Sequence, residues 1–279
     1  MSVDVLAFAK LNLSLRVLGL REDGFHEIAS EVQTVDLSDR LSISLAPSGV
    51  SVDSQLARQG TDIVERAAVT LLRRKRSDRG VHVRVEKAIP IGAGLGGGSS
   101  DAASLLSVLD RLTPPILPSE ELLEVGVEIG SDVPLFLAGG RLLVGGRGEQ
   151  VQRLPGPSNR QFVLLVPPVH CRTGAIYARW DAIAPAPRAK ADAPLRRGVN
   201  DLLASALDVH PALIPYHLAV EALACDYCGM SGSGSSFYAA FDVPTSAEEA
   251  AAELANRFPA ADVFVCRPTT TGYRIAEGE

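Results

Sequence analysis

A glycine-rich loop is the stretch of the sequence whose composition most directly indicates chemistry. Residues 90–100 read PIGAGLGGGSS, and five of the seven residues from Gly92 to Gly98 are glycine. Holding a glycine in one conformation costs roughly 0.5–1 kcal/mol relative to alanine. A fold benefits from such a loop where the backbone needs a positive φ or must approach a ligand closely. The loop is therefore a candidate binding site.

The elements predicted on either side of the loop indicate that the ligand is an anion. Alternating apolar and polar residues predict a half-buried strand over residues 81–86, before the loop. Apolar residues at spacings of three and four predict a helix that opens at Ser100 and is capped by Ser99 or Ser100. A strand, a glycine loop and a helix N-terminus direct free backbone N–H groups to one place, which suits a phosphate group.

Two better-known phosphate motifs fit this loop less well. Its spacing matches G-x-G-x-x-G, but a dinucleotide fold requires a second parallel strand and a ribose-binding acid about 20 residues later. Here Pro114-Pro115 and a second predicted helix from Ser119 follow instead. A Walker loop requires Gly-Lys-Ser/Thr, and no lysine follows these glycines. A glycine-rich turn without a ligand is the remaining alternative.

Composition narrows the class of protein. The chain has 279 residues, of which 46% are hydrophobic, and a formal net charge of −6. This length allows one large domain or two ordinary ones, and the acidic balance argues against a nucleic-acid partner. The sequence does not open with the charged segment and following apolar run that are typical of a targeting signal. No apolar stretch approaches the roughly 18 residues typical of a membrane span. We therefore expect a soluble, cytoplasmic protein without a membrane partner.

Neither the cysteines nor the main basic run indicates a separate function. Cys225 and Cys228 form a single C-x-x-C without a second pair or a histidine at ligand spacing, so all four cysteines are predicted to be reduced thiols. No metal ligand is predicted within the protein itself. The basic run at residues 73–76 follows a helical apolar pattern and is interpreted as a solvated helix end.

Two charged residues within apolar segments are candidate catalytic groups. Strands are predicted over residues 3–8 and 11–17, and Lys10 shares a polar face with Asn12. A lysine in apolar surroundings requires an anionic partner, although an edge-strand lysine is the alternative. Asp132 lies between a helix predicted to end at Gly130 and an apolar run that begins with Val133-Pro134. It is predicted to cap the next helix, to act in catalysis, or to do both.

These motifs together resemble those of the GHMP small-molecule kinases. Residues 90–100 resemble the phosphate loop of that family, and residues 9–13, Ala-Lys-Leu-Asn-Leu, its first motif. Residues 130–136, Gly-Ser-Asp-Val-Pro-Leu-Phe, resemble its Gly-Ala-Asp-Val-Pro-Phe segment, and residues 231–234 its Ser-Gly-Ser-Gly motif. The resemblance covers nearly the whole chain. It implies a two-domain α+β fold with the active site in the interdomain cleft. A Pro/Gly-rich stretch predicts the domain boundary, which gives domains of residues 1–157 and 158–279.

The resemblance implies ATP as the phosphate donor, with Mg²⁺ carried by the nucleotide phosphates. The loop amides would hold the phosphates, Asp132 would be the catalytic base, and Lys10 would keep that carboxylate ionised. Lys87 would lie beside the nucleotide or be a solvated strand end. The second glycine loop, residues 229–237, would also let backbone approach a ligand. The nucleotide-binding candidates are Pro90, Ile91, Gly92, Ala93, Gly94, Leu95, Gly96, Gly97, Gly98, Ser99, Ser100 and Lys87.

The resemblance also supplies candidates for binding the phosphate acceptor. Residues 23–26, Asp-Gly-Phe-His, resemble the Asp-Gly-Tyr-His segment of a branch whose substrate carries cytidine, where the aromatic ring stacks on cytosine and the histidine reads the base edge. Tyr177 would be the second stacking ring, although core packing is a near-equal alternative. At the position where the family has an asparagine near the nucleotide base, this chain has Asp62. The substrate-binding candidates are Asn12, Phe25, His26, Thr173 and Tyr177.

Three other functions stay open from the sequence alone. A GHMP kinase acting on homoserine or mevalonate would not need two rings and a base-reading histidine. A non-catalytic nucleotide-binding protein would bind ATP without depending on Lys10 or Asp132. An oxidoreductase is the weakest alternative, because the second strand and the acid are missing. A small-molecule substrate and ATP are the expected partners.

Overall fold

The structure, a computed structural model, describes residues 2–54, 62–156, 159–183 and 194–276. Its strands and helices are, in chain order, β1 Ser2–Leu20, β2 His26–Ala46, β3 Val50–Asp53, α1 Ile63–Arg74, β4 Gly80–Glu86, α2 Gly97–Leu112, α3 Ser119–Ile129, α4 Val133–Ala138, β5 Arg141–Gly145, β6 Gln150–Arg153, β7 Gln161–Val166, α5 Thr173–Ile183, α6 Leu203–Val209, α7 Ile214–Glu221, β8 Tyr227–Met230, β9 Phe237–Phe241, α8 Pro244–Arg257, β10 Asp262–Cys266 and β11 Tyr273–Ile275.

The strands of the described residues form two sheets. The first has the order β11–β1–β2–β4–β3, and β5 joins it by pairing with both β2 and β6. The second has the order β10–β7–β9–β8. The chain leaves the first sheet after β6, and β11 returns to it at the C-terminal end. The mixture of helices and strands agrees with the predicted α+β class. The domain boundary falls at residues 157 and 158, which lie outside the described ranges, so it stays a prediction.

The first two strands are longer than the sequence pattern predicts. The pattern predicts separate strands over residues 3–8 and 11–17, and two more over 28–35 and 39–45, but β1 and β2 each run through the gap. Their pairing shifts register between Phe8 and Ala9 and again between Asn12 and Ser14. Such bulges change which face a side chain occupies. The apolar alternation is therefore interrupted although the strand continues.

An apolar cluster connects the glycine loop with both sheets. Its buried side chains come from β1, β2, the loop region and the second sheet: Ala9, Leu11, Leu13, Val35, Ile89, Ala93, Leu95, Phe162, Leu164, Val166, Tyr238, Ala240 and Cys266. Separate clusters lie under α1 and α2 in the first sheet and under α5 to α8 in the second. The glycine loop is thus fixed to the interior by its apolar residues.

The basic run after α1 is only partly solvated. Arg74 forms exposed ion pairs with Glu124 and Glu128, at 3.1 and 2.7 Å. Lys75, in contrast, contacts Asp110, and the two side chains are 1% and 3% exposed. The interpretation of the run as a solvated helix end is therefore wrong for Lys75.

Two predictions about the chain as a whole have structural counterparts. The four cysteines are free of disulfide bonds, as predicted. No helix within the described ranges combines the length and the apolar character needed to span a membrane. The Pro- and Ala-rich sequence of residues 184–198 predicts a loop, and most of these residues lie outside the described ranges.

Candidate active site

A cleft of about 830 Å³ brings the predicted site residues together. It is lined by the glycine loop, by β1, by the start of β2, by the segment before α4 and by one face of α5. Every residue predicted for the nucleotide, the substrate or catalysis lines it, with the exception of Ser100. These residues are far apart in the sequence, so the fold itself assembles the site.

The helix after the glycine loop begins earlier than the sequence predicts. Gly96 adopts a left-handed conformation with φ of 73° and starts α2 at Gly97, without a side-chain cap. The prediction that Ser99 or Ser100 caps the helix is therefore wrong. Ser100 is buried inside the helix and donates from Oγ to the Phe8 carbonyl at 2.6 Å. The amides of residues 97–99 precede the first bond of the helix, from Ser100 N to Gly96 O, and are available to an anion.

The second glycine loop packs against the first. Ser231 donates from Oγ to the Gly94 carbonyl at 2.9 Å, and Ser236 N donates to the Ala93 carbonyl at 3.2 Å. Asn200 holds this loop from the other side, with 2.8 Å bonds to two of its carbonyls. The backbone of the second loop makes the predicted close approach, but the group that it mainly approaches is the first glycine loop. Gly232 and Ser233 of this second loop also line the cleft.

A substitution at Gly94 tests this packing. A Cβ at Gly94 would lie 2.2 Å from the Ser231 carbonyl oxygen, and the residue has φ of +78°. We expect Gly94→Ala to lower the free energy of unfolding by about 1–3 kcal/mol, the cost of a strained backbone position, as measured by urea denaturation. Gly174→Ala is the matched control, because a Cβ there has no atom within 4 Å. Equal effects of the two changes would contradict the packing.

Lys10 is buried and is held by the polar side chain two residues along β1. Its Nζ donates to Asn12 Oδ1 at 2.5 Å, and Asn12 Nδ2 donates to Ser30 Oγ at 2.8 Å. Burial lowers the pKa of Lys10, and the negative charge of Asp132 opposes that shift. The lysine is 5% exposed, so its description as an edge-strand residue is wrong.

Asp132 stands at the N-cap position of α4, but its side chain makes no capping hydrogen bond. Within the described parts of the chain, its carboxylate has no hydrogen-bond or ion-pair partner. Pro134 lies in the first turn of α4, as predicted. Burial and the charge of Asp132 raise the pKa of the nearby Tyr177. The carboxylate is therefore positioned in the cleft without a structural role that would engage its oxygens.

Lys87 lines the cleft but is held by two buried aspartates. Its Nζ contacts Asp39 and lies 2.7 Å from Asp101 Oδ2, and the lysine side chain is 4% exposed. Asp39 also accepts from the amides of Ala88 and Ile89, at 2.6 and 2.8 Å. Burial opposes the charge on Lys87, but the two carboxylates outweigh it and raise its pKa. The alternative of a solvated strand end is wrong, and the cluster connects the glycine loop to β2.

The aromatic candidates surround the other end of the cleft. Phe25 is 49% exposed, and the Arg147 guanidinium lies 4.9 Å from its ring centroid. His26 stacks on Tyr177 with 4.6 Å between ring centroids, and its Nε2 lies 3.0 Å from Asp181 Oδ1. Tyr177 both packs against the core cluster of the second sheet and lines the cleft, so core packing and substrate stacking both stay open for it. Thr173 bonds Ser233 through their hydroxyls at 3.0 Å.

Sequence reasoning missed two charged residues of this region, Arg147 and Asp181, both of which line the cleft. The sequence predicts a helix that starts at residues 172–177. Asp181 follows Tyr177 by four residues, a spacing that puts both on one helix face, so the sequence does carry a signal for Asp181. Asp62, in contrast, is engaged within the protein: it caps α1 by accepting from Val64 N at 2.8 Å and from Ser54 Oγ at 2.5 Å.

Comparisons with known proteins agree with this geometry. The family model "GHMP kinases N terminal domain" matches residues 62–140. Over 257 residues the chain is 36% identical to 4-diphosphocytidyl-2-C-methyl-D-erythritol kinase of Nitrosomonas europaea, covering 90% of this chain and 91% of the relative. Over 176 residues it is 39% identical to the enzyme of the same name from Thermotoga maritima, covering 63% and 64%.

Solved structures show the same fold. A crystal structure of 4-(cytidine 5'-diphospho)-2C-methyl-D-erythritol kinase matches with a TM-score of 0.80 at 32% identity, over 94% of this chain and 98% of the other. A homoserine kinase from Cytophaga hutchinsonii matches with a TM-score of 0.75 at 19% identity, over 99% and 97%, and supports the fold alone. The predicted GHMP kinase fold is confirmed, and the chain is a member of this class of ATP-dependent small-molecule kinases. Within the class, it belongs to the family of 4-diphosphocytidyl-2-C-methyl-D-erythritol kinases.

Proposed function

We propose that the protein transfers the γ-phosphoryl group of ATP to the 2-hydroxyl of 4-diphosphocytidyl-2-C-methyl-D-erythritol, in the non-mevalonate pathway to isoprenoid precursors. One observation carries this proposal: a single cleft joins the glycine loop, a carboxylate without a hydrogen-bond or ion-pair partner among the described residues, and a pair of aromatic rings beside a histidine. The names of the relatives support the choice of substrate.

The residues on the loop side of the cleft fit ATP. Gly92, Gly94 and Gly96 have positive φ values, so the loop follows a path that side chains would strain. The amides of residues 97–99 would hold the phosphates, and bound Mg²⁺ would neutralise the charge that builds up on them. Among the described residues there is no group of three or more acidic, histidine or cysteine side chains suited to a metal ion. The resemblance to the GHMP kinases implies that the nucleotide phosphates carry that ion.

The transfer itself would be carried out by Asp132 and Lys10. Asp132 would accept the hydroxyl proton as the substrate oxygen forms its bond to the γ-phosphorus, and the bond from that phosphorus to the β–γ bridging oxygen breaks to release ADP. Lys10 would favour the ionised carboxylate and offset the negative charge of the transition state. Asn12 would fix the position of the Lys10 ammonium, because it bonds that group directly.

The aromatic end of the cleft would bind the cytidine group. Phe25 and Tyr177 offer ring faces on which a base can stack, and His26 offers a ring nitrogen to its edge. A homoserine or mevalonate substrate has no base and would leave these rings without a partner. This difference supports a cytidine substrate within the kinase class.

The test is ATP consumption by the purified protein with Mg²⁺ and one of three alcohols: 4-diphosphocytidyl-2-C-methyl-D-erythritol, homoserine or mevalonate. We expect turnover with the cytidine compound only. Turnover with another alcohol would overturn the substrate assignment while leaving the kinase class intact. ATP binding without turnover of any alcohol would support the non-catalytic alternative instead.

The alkaline limb of the pH profile should report on Lys10. Because burial lowers the pKa of this lysine, its charge is lost at a lower pH than the ordinary value of 10.5. We expect kcat/KM to fall as the pH rises through that lowered pKa, since the charged form is the active one. In Lys10→Arg the guanidinium keeps its charge, so the alkaline fall should move to higher pH even if the overall rate is lower. An unchanged alkaline limb in this variant would contradict the assignment.

A further inference from the structure

The imidazole ring of His26 is held in place by one face of α5. Its Nε2 lies 3.0 and 3.1 Å from the two carboxylate oxygens of Asp181. One ring face stacks on Tyr177, and Trp180 packs edge-on with 5.7 Å between centroids at 90°. The histidine side chain is 10% exposed. Three residues of a single helix therefore fix the orientation of this ring.

This arrangement decides which nitrogen of the ring carries a proton. A carboxylate only accepts hydrogen bonds, so the nitrogen that faces Asp181 must be the donor. In a neutral imidazole the other nitrogen, Nδ1, is then an acceptor with a lone pair. In the described ranges, no residue donates to or accepts from Nδ1. In the neutral ring, the nitrogen left for a ligand in this cleft is therefore an acceptor.

We propose that Asp181 is a specificity-determining residue, which acts through His26 to favour cytosine over uracil. Cytosine carries an exocyclic amino group, a donor, at the position where uracil carries a carbonyl oxygen. An acceptor at Nδ1 can take a hydrogen bond from the amino group of cytosine. With uracil, the same nitrogen would face the lone pairs of the carbonyl oxygen, which has no proton to donate. The inference rests on the proposed function, because it assumes that the cytidine group lies against His26.

Kinetic discrimination between two bases tests this role. The assay compares kcat/KM for 4-diphosphocytidyl-2-C-methyl-D-erythritol and for the same compound with uracil in place of cytosine. We expect Asp181→Ala to lower the cytosine-to-uracil ratio about 3–10-fold, as for the loss of one hydrogen bond, chiefly through KM. Asp181→Glu should restore part of the ratio, because it returns a carboxylate to the same helix face.

Asp208→Ala is the matched control for this series. Asp208 forms an ion pair with Arg179 of the same helix, away from the cleft lining, and is 52% exposed. Its removal should leave the ratio unchanged. Turnover of the cytosine compound with an unchanged ratio in Asp181→Ala would overturn the inference alone. Turnover of neither compound by the wild-type protein would overturn the proposed function and the inference with it.

A spectroscopic measurement tests the same role without turnover. The chain has five histidines, so ¹⁵N-labelled histidine spectra of the wild type and of His26→Gln identify the His26 signals by difference. We expect the Nε2–H tautomer in the wild type and a mixture of tautomers in Asp181→Ala. A wild-type Nδ1–H tautomer would overturn the inference, because Nδ1 would then be a donor.

Discussion

Replacing Asp132 by asparagine is expected to lower kcat by about 10²–10⁴-fold, the usual contribution of a positioned general base. Asparagine keeps the shape of the side chain but cannot take the proton of the substrate hydroxyl. The KM values should change little, since the residue is proposed to act on the reacting oxygen rather than on the cytidine or nucleotide groups. Steady-state kinetics with the cytidine compound and ATP measure both quantities.

The stability of the Asp132 variant separates a catalytic role from a structural one. Among the described residues the carboxylate has no hydrogen-bond or ion-pair partner, so its replacement breaks no direct contact, and the nearby Lys10 keeps its bond to Asn12. We expect the urea midpoint to stay close to that of the wild type. Asp208→Asn is the control for the same chemical change outside the cleft. A folded Asp132→Asn protein with wild-type turnover would contradict the assigned role.

Replacing Lys87 by methionine should have the largest effect on stability. It removes the cation between Asp39 and Asp101, whose side chains are 0% and 1% exposed. Breaking a buried pair by removing one partner typically costs 3–5 kcal/mol, so we expect a loss of about that size in the free energy of unfolding. Urea denaturation at neutral pH measures it.

The pH dependence of this loss has a definite sign. Burial raises the pKa of Asp101 well above its ordinary value of 3.8, and Lys87 opposes that shift. Without Lys87 the folded-state pKa should rise further, so the protonated, uncharged form fits the fold better. The stability of Lys87→Met should therefore recover towards the wild type as the pH falls, and be lost as the pH rises through that raised pKa.

Arg84→Met is the control for the lysine variant. Arg84 pairs with Glu86 in the same strand, but their side chains are 62% and 56% exposed. Exposed pairs contribute about 0–1 kcal/mol, so this change should have a small effect. If Lys87→Met were no more destabilising than Arg84→Met, the ion pairs of Lys87 with Asp39 and Asp101 would not stabilise the fold as proposed.

The sequence predicts the parts of the site that depend on local composition. The glycine loop, Lys10 and Asp132 are each recognisable from their immediate neighbours, and the structure places all three on one cleft. The partners of Lys87 are not recognisable in this way. Asp39 and Asp101 are 48 and 14 residues away from it, and only the pairing of strands and the path of the loop bring them together.

The incorrect predictions have identifiable physical reasons. Serines before a predicted helix are good caps, but a left-handed Gly96 starts the helix first and places Ser100 in its interior. Small residues in the second loop do indicate close backbone approach, but the sequence does not say that the nearest partner is the first loop. Bulges likewise hide the continuity of β1 and β2. In the second loop and in the two long strands, a contact distant in sequence decides between locally reasonable options.

The most direct test of the proposed mechanism is the position of the substrate hydroxyl relative to Asp132. A crystal structure with a non-hydrolysable ATP analogue and 4-diphosphocytidyl-2-C-methyl-D-erythritol would measure that distance. We predict that the 2-hydroxyl oxygen lies within about 2.6–3.2 Å of an Asp132 carboxylate oxygen, with the γ-phosphate on its other side and the phosphates on the amides of residues 97–99. A 2-hydroxyl beyond hydrogen-bonding reach of Asp132, and bonded to another base, would contradict the mechanism.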